Sequence, residues 1–292
     1  MECPYPKQIN NPTNDLQARR LKPTITVDCN RCTICMKNRK NEWFFRLKWQ
    51  QKYSEGSWVV NLDYNNNHVP FIEKTGVLTT DTRDVQLFIK KVRRAMDRYN
   101  AKQQDDTRIK EPVKYFALME YGERIGRPHI HLLLFNVPEN VIWKLPEYWS
   151  ATSEKTGEKN QMGQVKFDEL DDATIHYVTN YMFTKEHWKS DQLGRQRVRT
   201  IMSTRLGYRY VEKNAKMHTD SLKGYVTLDG VKYRMPQYFK RKIFGDDYTV
   251  LQEKWDQDIQ EIRDARDRKI DPEEYRKRIA AKERILKRQM KR

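Results

Sequence analysis

Gly126-Arg127-Pro128-His129-Ile130-His131-Leu132-Leu133-Leu134-Phe135 is a turn that opens into an apolar strand carrying two histidines one residue apart. Side chains alternate faces along a strand, so His129 and His131 point one way while Ile130 and Leu132 point the other. Two imidazoles aimed at one point suggest a metal. Upstream, residues 113–121 read as a second strand, and Gly122-Glu123-Arg124-Ile125-Gly126 joins the two as a hairpin. That pairing brings Glu120 toward the imidazoles from the partner strand. Two His and one carboxylate leave open positions on a divalent ion such as Mn2+ or Mg2+, which can then hold a phosphate oxygen. Glu123 is the alternative carboxylate, although its place in the turn equally suits a solvated loop residue.

Outward from the hairpin, residues 58–64 read as a strand followed by an Asn-rich loop, and Asp81 to Asp84 cap a helix running to about residue 99. Residues 138–149 look like a short helix, 154–162 a polar, mobile excursion and 164–167 a further short strand. Asp171-Asp172 then caps a helix from Ala173 to about residue 185. Strand, helix, hairpin, strand and helix around one apolar core predict an α+β fold. Its mainly antiparallel central sheet is ferredoxin-like or RNA-recognition-like, flanked by helices.

The flanks differ in character. Residues 1–55 form an N-terminal arm with Pro4, Pro6, Pro12 and Pro23, a cysteine cluster and a basic, aromatic helix over residues 37–49 that buries Trp43, Phe44 and Leu47. Residues 56–245 hold the core domain and, near its end, a hairpin through Asp229-Gly230. Residues 246–292 are a charged helical C-terminal extension with a second helix start at Asp271-Pro272.

Across 292 residues, 37% are hydrophobic and 11% aromatic, enough to fill a sizeable core, while the formal net charge of +17 calls for an anionic partner such as DNA or RNA. No apolar run approaches the roughly 20 residues that span a bilayer, and the first residues lack a secretory pattern, so no membrane role is expected and the chain reads as cytoplasmic. All four cysteines lie early, as Cys3 and Cys29-x-x-Cys32-x-x-Cys35. In a reducing compartment this clustering favours thiolate ligation over disulfides, with a structural Zn2+ the leading candidate. Reduced structural thiols and an iron-sulfur or redox site are the alternatives.

On the helix after Asp172, Tyr177, Tyr181 and Lys185 are spaced by four and share a face, beside an apolar stripe of Ile175, Val178 and Met182. Ordinary packing explains such a tyrosine pair. Phosphotransfer is the alternative, since a tyrosine hydroxyl near a cation or a metal-bound substrate becomes a useful nucleophile. Lys185 is a candidate cation. Downstream, the basic residues 195–199 and Thr204-Arg205-Leu206-Gly207 are candidates to line a DNA path, or simply solvated loops.

Taken together, the Cys3 and Cys29-x-x-Cys32-x-x-Cys35 cluster, Asn41-Glu42-Trp43, Glu120-Tyr121-Gly122, the Gly126-Arg127-Pro128-His129-Ile130-His131 block and the paired Tyr177 and Tyr181 resemble the HUH endonucleases. Within them the chain is most similar to the rolling-circle replication initiators of gokushovirus-like Microviridae, single-stranded DNA phages. The resemblance implies an HUH endonuclease core and a site-specific single-stranded DNA endonuclease and strand transferase. His129, His131 and Glu120 would hold the Mg2+ or Mn2+ that polarises the scissile phosphate. Tyr177 and Tyr181 would be the nucleophiles, forming a 5'-phosphotyrosine and freeing a 3'-OH. Family members commonly place a lysine three residues after a tyrosine; here that place holds Thr184 after Tyr181 and Asn180 after Tyr177, and the lysine is Lys185.

The implied partners are origin DNA and a host DNA polymerase, inside an infected bacterial cell. A host helicase is also expected, because no G-x-x-x-x-G-K-[ST] motif is present. Two other readings compete: a non-catalytic, zinc-stabilised DNA-binding or packaging protein, and a related HUH transposase or relaxase.

Overall fold

A computed structural model describes residues 3, 5–11, 16–21, 23–122, 125–153, 156–181, 194–195, 198–228, 230–245, 255 and 273. In chain order the elements are β1 (Lys7–Asn10), α1 (Leu16–Leu21), β2 (Thr24–Val27), α2 (Thr33–Lys52), β3 (Ser57–Asp63), α3 (Thr82–Asn100), β4 (Lys114–Tyr121) and β5 (Pro128–Phe135). They continue with α4 (Glu139–Ile142), α5 (Leu145–Tyr148), β6 (Ser150–Thr152), β7 (Lys159–Gln161), β8 (Val165–Glu169) and α6 (Asp172–Tyr181). The last are β9 (Arg199–Met202), α7 (Tyr208–Ser221), β10 (Tyr225–Leu228), β11 (Val231–Arg234) and α8 (Gln237–Phe244).

The chain divides into two compact units, residues 43–210 and residues 1–42 with 211–292. In the first, five antiparallel strands form one sheet in the order β8-β3-β5-β4-β9. Its first four strands, numbered by appearance in the chain, stand in the order 4-1-3-2, the antiparallel order of the expected ferredoxin-like sheet. The crossover from β5 to β8 passes through α4 and α5, which pack on α3, whereas α6 leads to the added edge strand β9.

Strand alternation gives the sheet two apolar faces. Leu62, Ala117, Met119, Ile130, Leu132 and Leu134 face α3, whose Val85, Phe88, Ile89, Val92 and Met96 recur at helical spacing and are buried in the same cluster. The helix starts where Asp81, in extended conformation, accepts a hydrogen bond from Arg83 N at 2.8 Å. On the other face, Phe116, Leu118, Leu133 and Phe135 are fully buried. Trp43 of α2 lies 5.4 Å from Phe116, ring to ring.

Several expectations need correction. The single helix over residues 138–149 is two short ones: Trp143 and Lys144 lie between them, and Pro146, which has no N–H to give, falls in the first turn of α5. The polar excursion contains paired strands, with Ser150 opposite Gln161 and Thr152 opposite Lys159. Basic residues near 199 are not all loop, because Arg199 to Met202 pair with β4 and Ile201 packs on the core. Thr204-Arg205-Leu206-Gly207 is a docking turn: Leu206 is fully buried, Leu206 O accepts from Arg46 Nε, and Gly207 N donates to Gln50 Oε1 at 3.1 Å. Gly207 has φ +75°, and a Cβ there would stand 2.7 Å from Arg46 O, so only glycine fits. The basic helix begins earlier than expected, inside the cysteine cluster, and buries Phe45 and Trp49 as well as Phe44 and Leu47, while Trp43 is partly exposed beneath Arg46.

In the other unit, β1 pairs with β2 and β10 with β11. Trp255 is buried there, donating from Nε1 to Leu222 O at 2.7 Å, with Phe244 4.9 Å from its ring. Of the charged C-terminal extension, only Trp255 and Glu273 are among the described residues.

Candidate metal and tyrosine site

The hairpin register decides the site. Glu120 stands opposite His129 and Leu118 opposite His131 on β4 and β5, while on β3 Asp63 stands opposite His129 and Asn61 opposite His131. Directly opposed residues share a face, so the period of two collects Glu120, both histidines, Asn61 and Asp63 on one side of the sheet. Glu120 Oε1 lies 2.8 Å from His129 Nε2 and 2.8 Å from His131 Nε2. These ligand atoms all fall within 4.8 Å of one another, with Glu120 buried and the histidines partly exposed.

Burial acts to raise the Glu120 carboxyl, but hydrogen bonds from His129 and His131 and their charge outweigh it and hold it at about 2. The hydrogen bond to Glu120 raises His129 above its ordinary value, against the opposing effect of burial.

His131 Nδ1 lies 2.6 Å from Asn61 Oδ1, an acceptor, which makes Nδ1 the donor of that ring. In a neutral imidazole, Nε2 then presents a lone pair to a carboxylate oxygen. Such a contact needs a positive charge between the two, either a second proton or a metal ion. Glu120 Oε2 is also buried with no hydrogen-bond partner among the described residues. Both features fit a divalent cation, and the Asn61 contact is the kind that orients a ligating ring from behind.

Helix α6 lies over the same face. Ile175 and Val178 are fully buried, and Tyr177 is 43% exposed. The Tyr177 ring centre is 5.5 Å from that of His131, and the Tyr181 ring is 4.9 Å from Tyr177. The second half of α2 holds this helix, through a stack of Phe44 on His176 at 3.9 Å and an ion pair between Lys48 and Asp172. Lys185 and Met182 lie outside the described residues, as does Glu123, the alternative carboxylate.

Two arginines frame the turn. Arg127 binds Tyr64 O at 2.7 Å and Asn66 Oδ1 at 3.0 Å, so its guanidinium ties the hairpin turn to the loop after β3. Arg195 lies 5.3 Å from the Tyr121 ring centre and packs against Gly126, whose φ of +63° and lack of a Cβ permit the approach. Asn61 and Asp63 went unnoticed in the sequence. The available signal was a polar residue at every second position of an otherwise apolar strand.

A second ligand set lies in the other unit. Sulfur atoms of Cys3 and Cys32 are 3.8 Å apart, those of Cys29 and Cys35 3.9 Å, and all four fall within 4.8 Å. None forms a disulfide. Four sulfurs at about 2.3 Å from a tetrahedral zinc stand about 3.8 Å apart, so the spacing fits one such ion. Backbone N–H groups of Cys29, Cys32 and Cys35 each donate to a cluster sulfur. Burial acts to raise the Cys29 thiol, but the N–H groups of Arg31 and Cys32 bring it down to about 6; burial pushes the Cys35 thiol up.

Residues 57–187 match the family described as Replication-associated protein ORF2, a span that includes β3, β4, β5 and α6 and excludes the cysteines. Replication-associated protein ORF4 of Chlamydia phage 1 is 25% identical over 239 residues, covering 77% of this chain and 56% of the relative. Replication-associated protein ORF2 of Spiroplasma virus 4 is 26% identical over 228 residues, covering 75% and 68%. Replication-associated protein VP4 of Bdellovibrio phage phiMH2K is 24% identical over 226 residues, covering 74% and 67%. The chain thus spans little more than half the length of the Chlamydia phage relative. No solved structure matches. No described helix is long and apolar enough to cross a membrane. The resemblance read from the histidine block and the paired tyrosines therefore stands: the chain is a relative of phage replication-associated proteins, with residues 57–187 carrying the family match.

Proposed function

We propose that this protein is a metal-dependent HUH endonuclease and strand transferase that nicks single-stranded phage DNA at an origin to start rolling-circle replication. One observation carries the reading: two imidazole nitrogens and a buried carboxylate oxygen converge beside an exposed tyrosine ring. Mg2+ or Mn2+ held by His129, His131 and Glu120 would supply Lewis-acid polarisation of a phosphodiester oxygen.

The chain's own residues do the rest. Asn61 fixes the His131 tautomer, and Glu120 keeps its negative charge because it is held near 2. The Tyr177 hydroxyl attacks phosphorus; the new Oη–P bond forms as the P–O3' bond breaks, giving a 5'-phosphotyrosine and a 3'-OH. The tyrosine proton leaves to solvent and the departing 3' oxygen takes one up. Tyr181, four residues on, repeats the attack when the origin is regenerated, and the first strand's 3'-OH closes the circle. Bond energy is conserved in each exchange, so no nucleotide cofactor is required. Lys185 remains a proposed stabilising cation.

The cysteine cluster is proposed to hold a structural Zn2+. A host polymerase would extend the 3'-OH and a host helicase would unwind the duplex, both in the bacterial cytoplasm.

Cleavage of labelled single-stranded origin DNA with Mn2+ tests this reading. Glu120→Ala and His131→Ala are expected to lose about 100-fold or more in rate while remaining folded. Cleavage at the wild-type rate by either variant, or in excess chelator, refutes it.

A further inference from the structure

On the sheet face away from the histidines, α3 presents Lys91, Arg94 and Arg98 at spacings of three and four. They line a cleft of about 620 Å3, completed by Lys159 of β7 and Tyr148 of α5. Like charges three and four apart on a helix destabilise it by a few tenths of a kcal/mol per pair, so the arrangement asks for a use. Asp97 and Glu147 share the cleft, yet among the described residues neither forms an ion pair with its cations. Lys91 is spent on the cleft wall, donating to Tyr148 O at 3.1 Å and to Ser150 Oγ at 3.1 Å. Arg94, Arg98 and Lys159 are left facing solvent.

A second cleft of about 420 Å3 shares Arg98, Tyr148 and Lys159 and adds Lys102, Lys144 and the ring of Tyr99. The two are therefore one continuous groove. Its cations are strung along its length rather than gathered at a point, and they alternate with tyrosine rings. A small anion needs a convergent site; a polyanion with flat bases fits this pattern of phosphate contacts and stacking surfaces.

We infer that this groove binds the backbone of single-stranded DNA, as a second nucleic-acid site on the opposite face of the sheet from the histidines. The choice of DNA as the polyanion rests on the replication reading above; the groove's charge does not. Such a site would hold one stretch of strand while another lies at the tyrosines.

The test is fluorescence anisotropy of a labelled single-stranded oligothymidylate of about 30 nucleotides, titrated with full-length protein at several salt concentrations. A triple variant, Arg94→Gln with Arg98→Gln and Lys159→Gln, is expected to bind about tenfold more weakly. The slope of log affinity against log salt should become shallower by about 2, for three lost phosphate contacts on a single strand. Wild-type affinity and slope in that variant overturn the proposal, and so does a loss confined to duplex DNA. Should the triple variant melt early, Lys102→Gln with Lys144→Gln reads the adjoining cleft, with an expected slope change of about 1. Tyr177→Phe with Tyr181→Phe is expected to keep the wild-type slope, so a failure of the nicking reading and a failure of the groove are told apart.

Discussion

Glu120 Oε1 cannot sit 2.8 Å from two imidazole nitrogens unless positive charge lies among them. At this scale Asn61 is the residue that decides which kind of charge. By accepting from His131 Nδ1 it leaves Nε2 free for a metal, and it also restrains the ring's rotation. Asn61→Ala is therefore expected to weaken Mn2+ binding about 10- to 100-fold, measured by calorimetry, with little change in melting temperature. Unchanged Mn2+ affinity would mean that the ring is held by packing alone. Asn61 was hard to find from sequence because its role needs the register between β3 and β5, strands separated by the whole of α3 and β4. Glu120 was easy by comparison: a five-residue turn left few ways to pair its strand with the histidines.

Among the elements, α6 shows what positions the tyrosines. Its N-terminal half is fastened to α2 by the Phe44 and His176 stack and by the Lys48 and Asp172 pair, while Ile175 and Val178 dock it on the sheet. Phe44→Ala removes a buried ring and is expected to cost about 3–5 kcal/mol in stability. It should also slow strand cleavage by about tenfold or more through misplaced tyrosines, with Mn2+ affinity unchanged. A loss of Mn2+ affinity in parallel with cleavage would show that α6 supports the ligands and does not merely aim the tyrosines.

Helix α3 was legible from sequence because its cap and its apolar spacing are local. Strand β9 was not, since Arg199-Thr200-Ile201-Met202 carries only one contact, through Ile201, to the main core and is defined by pairing with β4. The β6 and β7 pair escaped for a related reason: both strands are short and mostly polar, and turn chemistry alone did not mark them.

For the whole molecule, the two units carry different chemistry. Residues 43–210 hold the histidines, Glu120 and the tyrosines, while the cysteine cluster belongs to residues 1–42 with 211–292. Four thiol ligands close a tetrahedral ion, leaving no open position for substrate, so a metal there stabilises and does not react. Stripping zinc with a thiol-competitive chelator is expected to lower the melting temperature and to release about one zinc per chain, and Cys32→Ser should reproduce the shift. A chain that melts identically with and without the chelator would carry reduced structural thiols instead. The antiparallel sheet order was readable from the succession of elements, whereas Trp255, inside a strongly charged segment, gave no sign that it would be buried.

The central claim is that this chain breaks DNA by joining it to a tyrosine. The direct measurement is mass spectrometry of the protein after reaction with single-stranded origin DNA and Mn2+, with the nucleotide adduct mapped to a peptide. The account predicts adducts on Tyr177 and Tyr181, lost only when both are changed to Phe. Strand cleavage with no covalent adduct, or an adduct that persists in the Tyr177→Phe, Tyr181→Phe double variant, would contradict it.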